Sequence, residues 1–228
     1  QKGKARWMLV CALSKKGYNK RVWSQAIPFY VGRKLVRSPK CVTMRRKKQR
    51  NGGKIMRLFF ALQFDEKTVE AITAVQGRLA QAAQNVRLSQ RENLHLTLAF
   101  LGEQPESALP RLKAAMEQTA WEPLELCIDH AGSFRRSGGD TWWLGFRYAQ
   151  DLMTVQAELA GHLQTAGFKL EDRPFSPHLT LARQVYLPRD FSGESLLTEP
   201  ITTRVERFTL MESTRRQGQL VYVPLYER

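Results

Sequence analysis

No run of about eighteen apolar residues occurs in this sequence, so no segment reads as a membrane-spanning helix. Cysteine is scarce: Cys11, Cys41 and Cys127 are three in number, which is odd, and their spacing is unlike that of a metal site. This argues against a disulfide framework and fits a reducing compartment, so a cytoplasmic protein is expected. Histidine is limited to His95, His130, His162 and His178. Neither His130 nor His162 lies at a chelating distance along the chain, so no metal and no other cofactor is implied. Acidic residues are missing altogether from residues 1–55, which hold 10 Lys and 7 Arg. What is present, 43% hydrophobic and 10% aromatic residues in a chain of 228, suffices for one substantial core in one or two lobes.

The charge is divided unevenly. Residues 56–228 hold 19 basic and 21 acidic side chains, a net −2, so the formal +15 of the whole chain resides in its first quarter. Any RNA binding by residues 56–228 must therefore rest on local chemistry rather than on net charge. The composition shift at RRKKQRNGGKIM divides a basic extension, 1–55, from a domain, 56–228. Three readings of the extension stand side by side. With Trp7, Tyr18, Trp23 and Tyr30 among its cations it is a candidate RNA-binding arm. Arg-rich and acid-poor, it also matches an organellar transit peptide. The favoured reading is an upstream region translated in frame: Gly52-Gly53 can be encoded by a purine-rich ribosome-binding sequence two codons before Met56. The expectation is an extension without a compact core, disordered or not native, and a domain that folds from Met56 onward.

Beyond Met56 the hydrophobic pattern alternates between strand and helix periods. MRLFFALQF reads as a strand, followed by a helix that Asp65 caps and that buries Val69, Ile72, Val75 and Leu79. Leu109, Leu112 and Met116 mark a second helix. Leu152, Val155, Leu159 and Leu163 mark a third, with Asp151 as its expected cap. LELCIDHAGSF and TWWLGFRY flank the turn-forming RRSGGD as a hairpin, and RVERFTLMEST pairs with GQLVYVPLYE around Arg215 to Gly218. Helices among hairpins indicate an α+β fold with mainly antiparallel sheet.

The pentapeptide His-Leu-Thr-Leu-Ala occurs twice, at His95 and at His178. On a strand, side chains alternate between faces, so His95 and Thr97 point one way and Leu94, Leu96 and Leu98 the other. His178 and Thr180 repeat the pattern, with Leu179 and Leu181 behind them, and Ala99 and Ala182 continue the polar face. A single H-x-T on a strand is ordinarily structural. Two identical copies in one domain are not explained by packing, which would preserve the leucines without the polar pair. Two imidazoles facing across a groove suit phosphoester chemistry, because each can be base or acid near neutral pH, and two threonine hydroxyls can hold non-bridging oxygens. His162, on the third helix, reads as a surface residue and His130, beside Asp129, as structural.

These motifs resemble those of the two-histidine phosphoesterase superfamily. Within it the chain is similar to the bacterial RNA 2′,3′-cyclic phosphodiesterases, historically called 2′-5′ RNA ligases (LigT-like). The resemblance runs from RLFFAL at Arg57 through NLHLTLAFLG and WLGF to SPHLTLAR and YVPL, nearly all of residues 56–228. It implies a bilobal, pseudo-two-fold fold of two mainly antiparallel sheets flanked by helices, with both motifs in the groove between them. It further implies opening of an RNA terminal 2′,3′-cyclic phosphate to a 2′-phosphomonoester, which the two-histidine scheme achieves without a metal, and some members join RNA ends in the reverse sense. By the same resemblance His95 protonates the departing O3′, His178 activates the water, and Thr97 and Thr180 hold the phosphate. Arg183 matches an arginine near the phosphate, where the first copy has Phe100. Strict alternation aims Arg183 at the leucine face, so the strand must end or bulge before it; otherwise Arg183 is a solvated edge residue.

Trp142, Trp143, Phe134 and Tyr222 are candidates for stacking on a base. Because Trp142 and Trp143 are adjacent on a strand, one is expected to face the core and the other the groove or solvent. The expected partners are RNA ends carrying a cyclic phosphate, tRNA fragments among them, bound by a monomer away from any membrane. Two alternatives remain open: an enzyme for 2′-5′ linked or small cyclic nucleotides, and a non-catalytic RNA-end binding module. The absence of a K-x-D-G motif gives no indication of ATP-driven ligation.

Overall fold

The computed structural model describes residues 53–228; the expectations for the basic extension fall outside the described residues, apart from its last three positions. Strand β1 (Ile55–Gln63) begins one residue before Met56. Lys54 also belongs to the folded unit: its carbonyl accepts the Glu106 amide at 2.9 Å, and its Nζ lies 2.9 Å from the buried carboxylate of Glu212.

After β1 the chain forms α1 (Glu66–Ala82), β2 (Asn85–Leu88), β3 (His95–Pro105) and α2 (Leu109–Gln118). There follow β4 (Leu124–Phe134), β5 (Asp140–Phe146), α3 (Gln150–Thr165), β6 (His178–Tyr186), β7 (Ile201–Val205), β8 (Arg207–Arg216) and β9 (Gln219–Glu227). Asp65 caps α1 as expected, its carboxylate accepting from the Thr68 amide at 2.8 Å. The third helix starts earlier than its pattern suggested. Ala149 is the N-cap and Asp151 sits inside the first turn, where a carboxylate still favours the positive end of the helix dipole.

The strands form two antiparallel sheets, one in the order β3-β1-β8-β9 and the other β2-β6-β5-β4-β7. RVERFTLMEST, expected as one strand, is broken at Glu206: β7 pairs with β4 in one sheet and β8 with β1 in the other. The β8–β9 turn is a two-residue Gln217–Gly218 loop with positive φ at both positions (50° and 82°), the geometry that matches the twist of a hairpin.

Helices cross between the sheets. The first, α1, follows β1 yet packs on β2, β6 and β7, while α3 follows β5 and reaches β3. A single apolar cluster therefore runs through both halves. Leu94, Leu96, Leu98, Leu179 and Leu181 all lie in it. A one-residue slip of either motif strand would expose these leucines and bury the imidazoles, at roughly 1.5–3 kcal/mol per leucine. The buried amide of Gln76 on α1 adds a polar tie to β6, donating to Leu181 O at 2.8 Å. Among the described residues no helix is long and apolar enough to cross a membrane.

Candidate active site

Strands β3 and β6 lie against each other where the sheets meet, and both motifs open into one groove of about 1210 Å³. His95, Thr97, His178, Thr180 and Arg183 line it together, as do Phe134 and Tyr222. The groove also concentrates charge that net composition conceals. Among the described residues Arg57, Arg87, Arg173, Arg183 and Arg215 line it against one acid, Glu171, which is paired with Arg173.

The two histidines are oriented alike. His95 donates from Nδ1 to the Asn93 carbonyl at 2.7 Å, and His178 donates from Nδ1 to the Ser176 carbonyl at 2.8 Å. A backbone carbonyl can only accept, so each neutral ring keeps its proton on Nδ1 and its lone pair on Nε2. At His95, Nε2 accepts from the Thr97 hydroxyl at 2.9 Å. The carbonyl that orients His95 is itself fixed: the Asn93 side chain donates to Leu220 O at 2.9 Å and accepts from the Tyr222 amide at 3.2 Å. This strut from β9 does not show in the sequence beyond the presence of Asn93 two residues before the histidine, where the second copy has Ser176.

Arg183 reaches the groove by the device that alternation required. Trp143 pairs with Thr180 and Trp142 with Ala182, so Leu181 is an extra residue in β6. Leu181 and Ala182 are consequently both fully buried, and Arg183 turns back to the polar side. Ala182, expected to continue the polar face, is thus turned into the core. A second irregularity follows at once, with Gln184 held at φ 55° and its backbone against Gly139 (φ 90°), where a Cβ would lie 2.8 Å away. The first copy repeats the first bulge: Ala61 pairs with Thr97 and Phe60 with Ala99, leaving Leu98 extra and Phe100 in the place equivalent to Arg183.

The aromatics separate. Trp142 is buried and meets Phe191 edge-on at 5.6 Å, so it is a core residue. Trp143 stands on the same face as His178, 6.3 Å from it, but lies over Gly132 and beside Phe134, and it does not line the groove. Phe134 meets His178 edge-on at 5.4 Å, and Tyr222 meets His95 edge-on at 5.0 Å. Phe59, which sequence reasoning missed, lies 5.0 Å from the His95 ring. With Ala61, Met211, Phe100 and Tyr222 it forms a small apolar floor separate from the main core. His130 lies outside the groove lining, its Nδ1 2.7 Å from Asp129.

Burial sets the protonation of His95. Desolvation by its surroundings is the largest influence, opposed by the Asn93 hydrogen bond and reinforced by the charges of His178 and Arg183, and it lowers the imidazole to about 4. The free site therefore holds His95 neutral at pH 7. Burial raises the Tyr222 phenol, while Arg183 and Arg57 pull it down.

A sequence model of the 2′-5′ RNA ligase superfamily matches residues 64–217. The chain is 28% identical over 177 residues to the RNA 2′,3′-cyclic phosphodiesterase of Thermotoga maritima, covering 75% of this chain and 94% of that one. To the protein of the same name from Methanothermobacter thermautotrophicus it is 30% identical over 179 residues, covering 75% and 96%. Among solved structures, Escherichia coli LigT in its apo form superposes with a TM-score of 0.64 at 29% identity, covering 77% of this chain and 98% of that one. The matched span holds both His-x-Thr strands, and the likeness extends over nearly the full length of these relatives; the chain belongs to the 2′-5′ RNA ligase superfamily.

Proposed function

We propose that the chain hydrolyses the terminal 2′,3′-cyclic phosphate of RNA to a 2′-phosphomonoester by two-histidine acid-base catalysis that needs no metal. The observation that carries this reading is the matched pair of imidazoles, each held by Nδ1 on a carbonyl two residues upstream, in one arginine-lined groove. The relatives named RNA 2′,3′-cyclic phosphodiesterase support the substrate.

In the proposed reaction His178 Nε2 takes a proton from water as its oxygen bonds to phosphorus. The P–O3′ bond breaks, and O3′ leaves with a proton from His95 Nε2. One proton enters at one histidine and one leaves from the other, so the ring states are exchanged and return through solvent. Since burial keeps His95 neutral in the free chain, its proton must arrive with the substrate, whose phosphate charge offsets the desolvation. An imidazolium held in such a site surrenders its proton readily, which the departing O3′ requires. Thr180 and Arg183 contact the non-bridging oxygens, and Thr97 joins them once its hydroxyl turns from His95. The proposed partners are RNA ends, tRNA fragments among them, bound by a monomer.

The test is incubation with RNA ending in a cyclic phosphate and identification of the monoester as 2′ or 3′. His95→Ala and His178→Ala are each expected to slow turnover by roughly 10²- to 10⁴-fold. Near-normal rates in either variant, or a 3′-phosphate product, would refute the mechanism.

A further inference from the structure

The two copies of the motif carry different side chains at the fifth position after the histidine, Arg183 in β6 and Phe100 in β3. A second cation nevertheless stands over the first half. Arg57, on β1, lines the groove, and its guanidinium centre lies 4.8 Å above the ring of Phe100. Glu103 is directly across from it on β3, yet the guanidinium lies on the aromatic ring. A guanidinium held over an aromatic face is restrained without using up its N–H donors, which remain available to a phosphate.

We propose that Arg57, held over Phe100, binds a second phosphate of the substrate, the internucleotide phosphate next to the cyclic end, so that the groove selects polynucleotide ends over mononucleotides. This rests on the reaction proposed above and adds a recognition residue to it. Position separates this cation from the reacting one. Arg57 is two residues along β1 from Phe59, about 7 Å of strand, and Phe59 is the residue whose ring touches His95. The cations that act on His95 are His178 and Arg183 but not Arg57, whereas Arg183 and Arg57 both act on the Tyr222 hydroxyl, which therefore lies within reach of both arginines. A phosphate at Arg57 would carry the chain over Phe59 and Tyr222.

The experiment compares kcat/KM for a mononucleoside 2′,3′-cyclic phosphate with that for a trinucleotide ending in the same cyclic nucleoside, in the wild-type chain and in Arg57→Gln. The trinucleotide-to-mononucleotide ratio is expected to fall roughly tenfold in the variant, as for one lost charge-assisted contact. The slope of log kcat/KM for the trinucleotide against log salt should become shallower by about 0.7, the contribution of one phosphate on a single strand. A ratio that stays the same, whether both rates fall or neither does, overturns the proposal. Anisotropy of a fluorescein-labelled trinucleotide reads the contact without turnover. Equal Kd for the two chains overturns it, while a roughly tenfold difference in Kd without hydrolysis of either substrate upholds the contact and refutes the reaction instead.

Discussion

Removing the ring of Tyr222 should raise the pKa of His95. Histidine titrates near 6.5 when solvated, and the lowering to about 4 amounts to a preference for the neutral ring of about 3 kcal/mol. Phe59 and Tyr222 both lie 5.0 Å from the imidazole, and desolvation is the dominant cause. Tyr222→Ala exposes one of the two flanks while keeping the backbone amide that holds Asn93, so it should return roughly one pH unit of the shift. The assay is an NMR titration of the imidazole protons, with His95→Gln to assign the signal, and the acid limb of kcat/KM should move by the same amount. The same shift predicts a stability slope. The unfolded chain takes up the proton from pH 6.5 downward and the folded chain only near 4, so stability declines as pH falls between these values and is unaffected by this group above them. The decline is at most about 3 kcal/mol, less to the extent that the ring meets solvent, and it should vanish in His95→Gln. A wild-type titration near 6.5, or one that Tyr222→Ala leaves in place, would refute the account.

The order of acid and base can be read with a p-nitrophenyl phosphodiester, whose leaving group needs no proton: His95→Ala should recover most of its lost rate on it, and recovery by His178→Ala instead would reverse the roles. Gly139→Ala places a Cβ 2.8 Å from the Gln184 backbone at φ 90°, so it should displace Arg183 and lower kcat/KM roughly tenfold or more in a folded chain; normal activity would refute the positioning. A chain beginning at Met56 should fold and hydrolyse cyclic phosphates, but it loses the Lys54 partner of Glu212. It should therefore be less stable in urea, by on the order of 1 kcal/mol, than one beginning at Gly53. Loss of RNA affinity that tracks salt would instead make the basic extension a genuine arm.

What could be read from the sequence was whatever depends on local period. The helices at Val69, Leu112 and Leu159 and the two hairpins follow from spacing alone, and duplication singled out His95, Thr97, His178 and Thr180. What depends on pairing between distant strands could not be read. In RLFFAL both alternating faces are apolar, because one meets the core and the other floors the groove, so periodicity does not show that Phe59 belongs beside His95. The fate of Trp143 depends on Gly132 lying opposite it across β4 and β5, a match that no local pattern records. The break at Glu206 is likewise invisible within a run of strand-forming residues.

Arg183 is the instructive case, because alternation gave the wrong face and yet named the remedy, a bulge. The same extra residue, Leu98 or Leu181, follows the threonine in both copies, so the repeated unit is the imidazole, the hydroxyl and the turn that brings the fifth side chain after the histidine into the groove. With that geometry doubled, the difference between Phe100 and Arg183 is a difference in charge at equivalent places. Two chemically identical histidines thus stand in different surroundings: His95 borders an apolar floor that disfavours its charged form, and His178 lies on the half of the groove where Arg183 stands in place of Phe100.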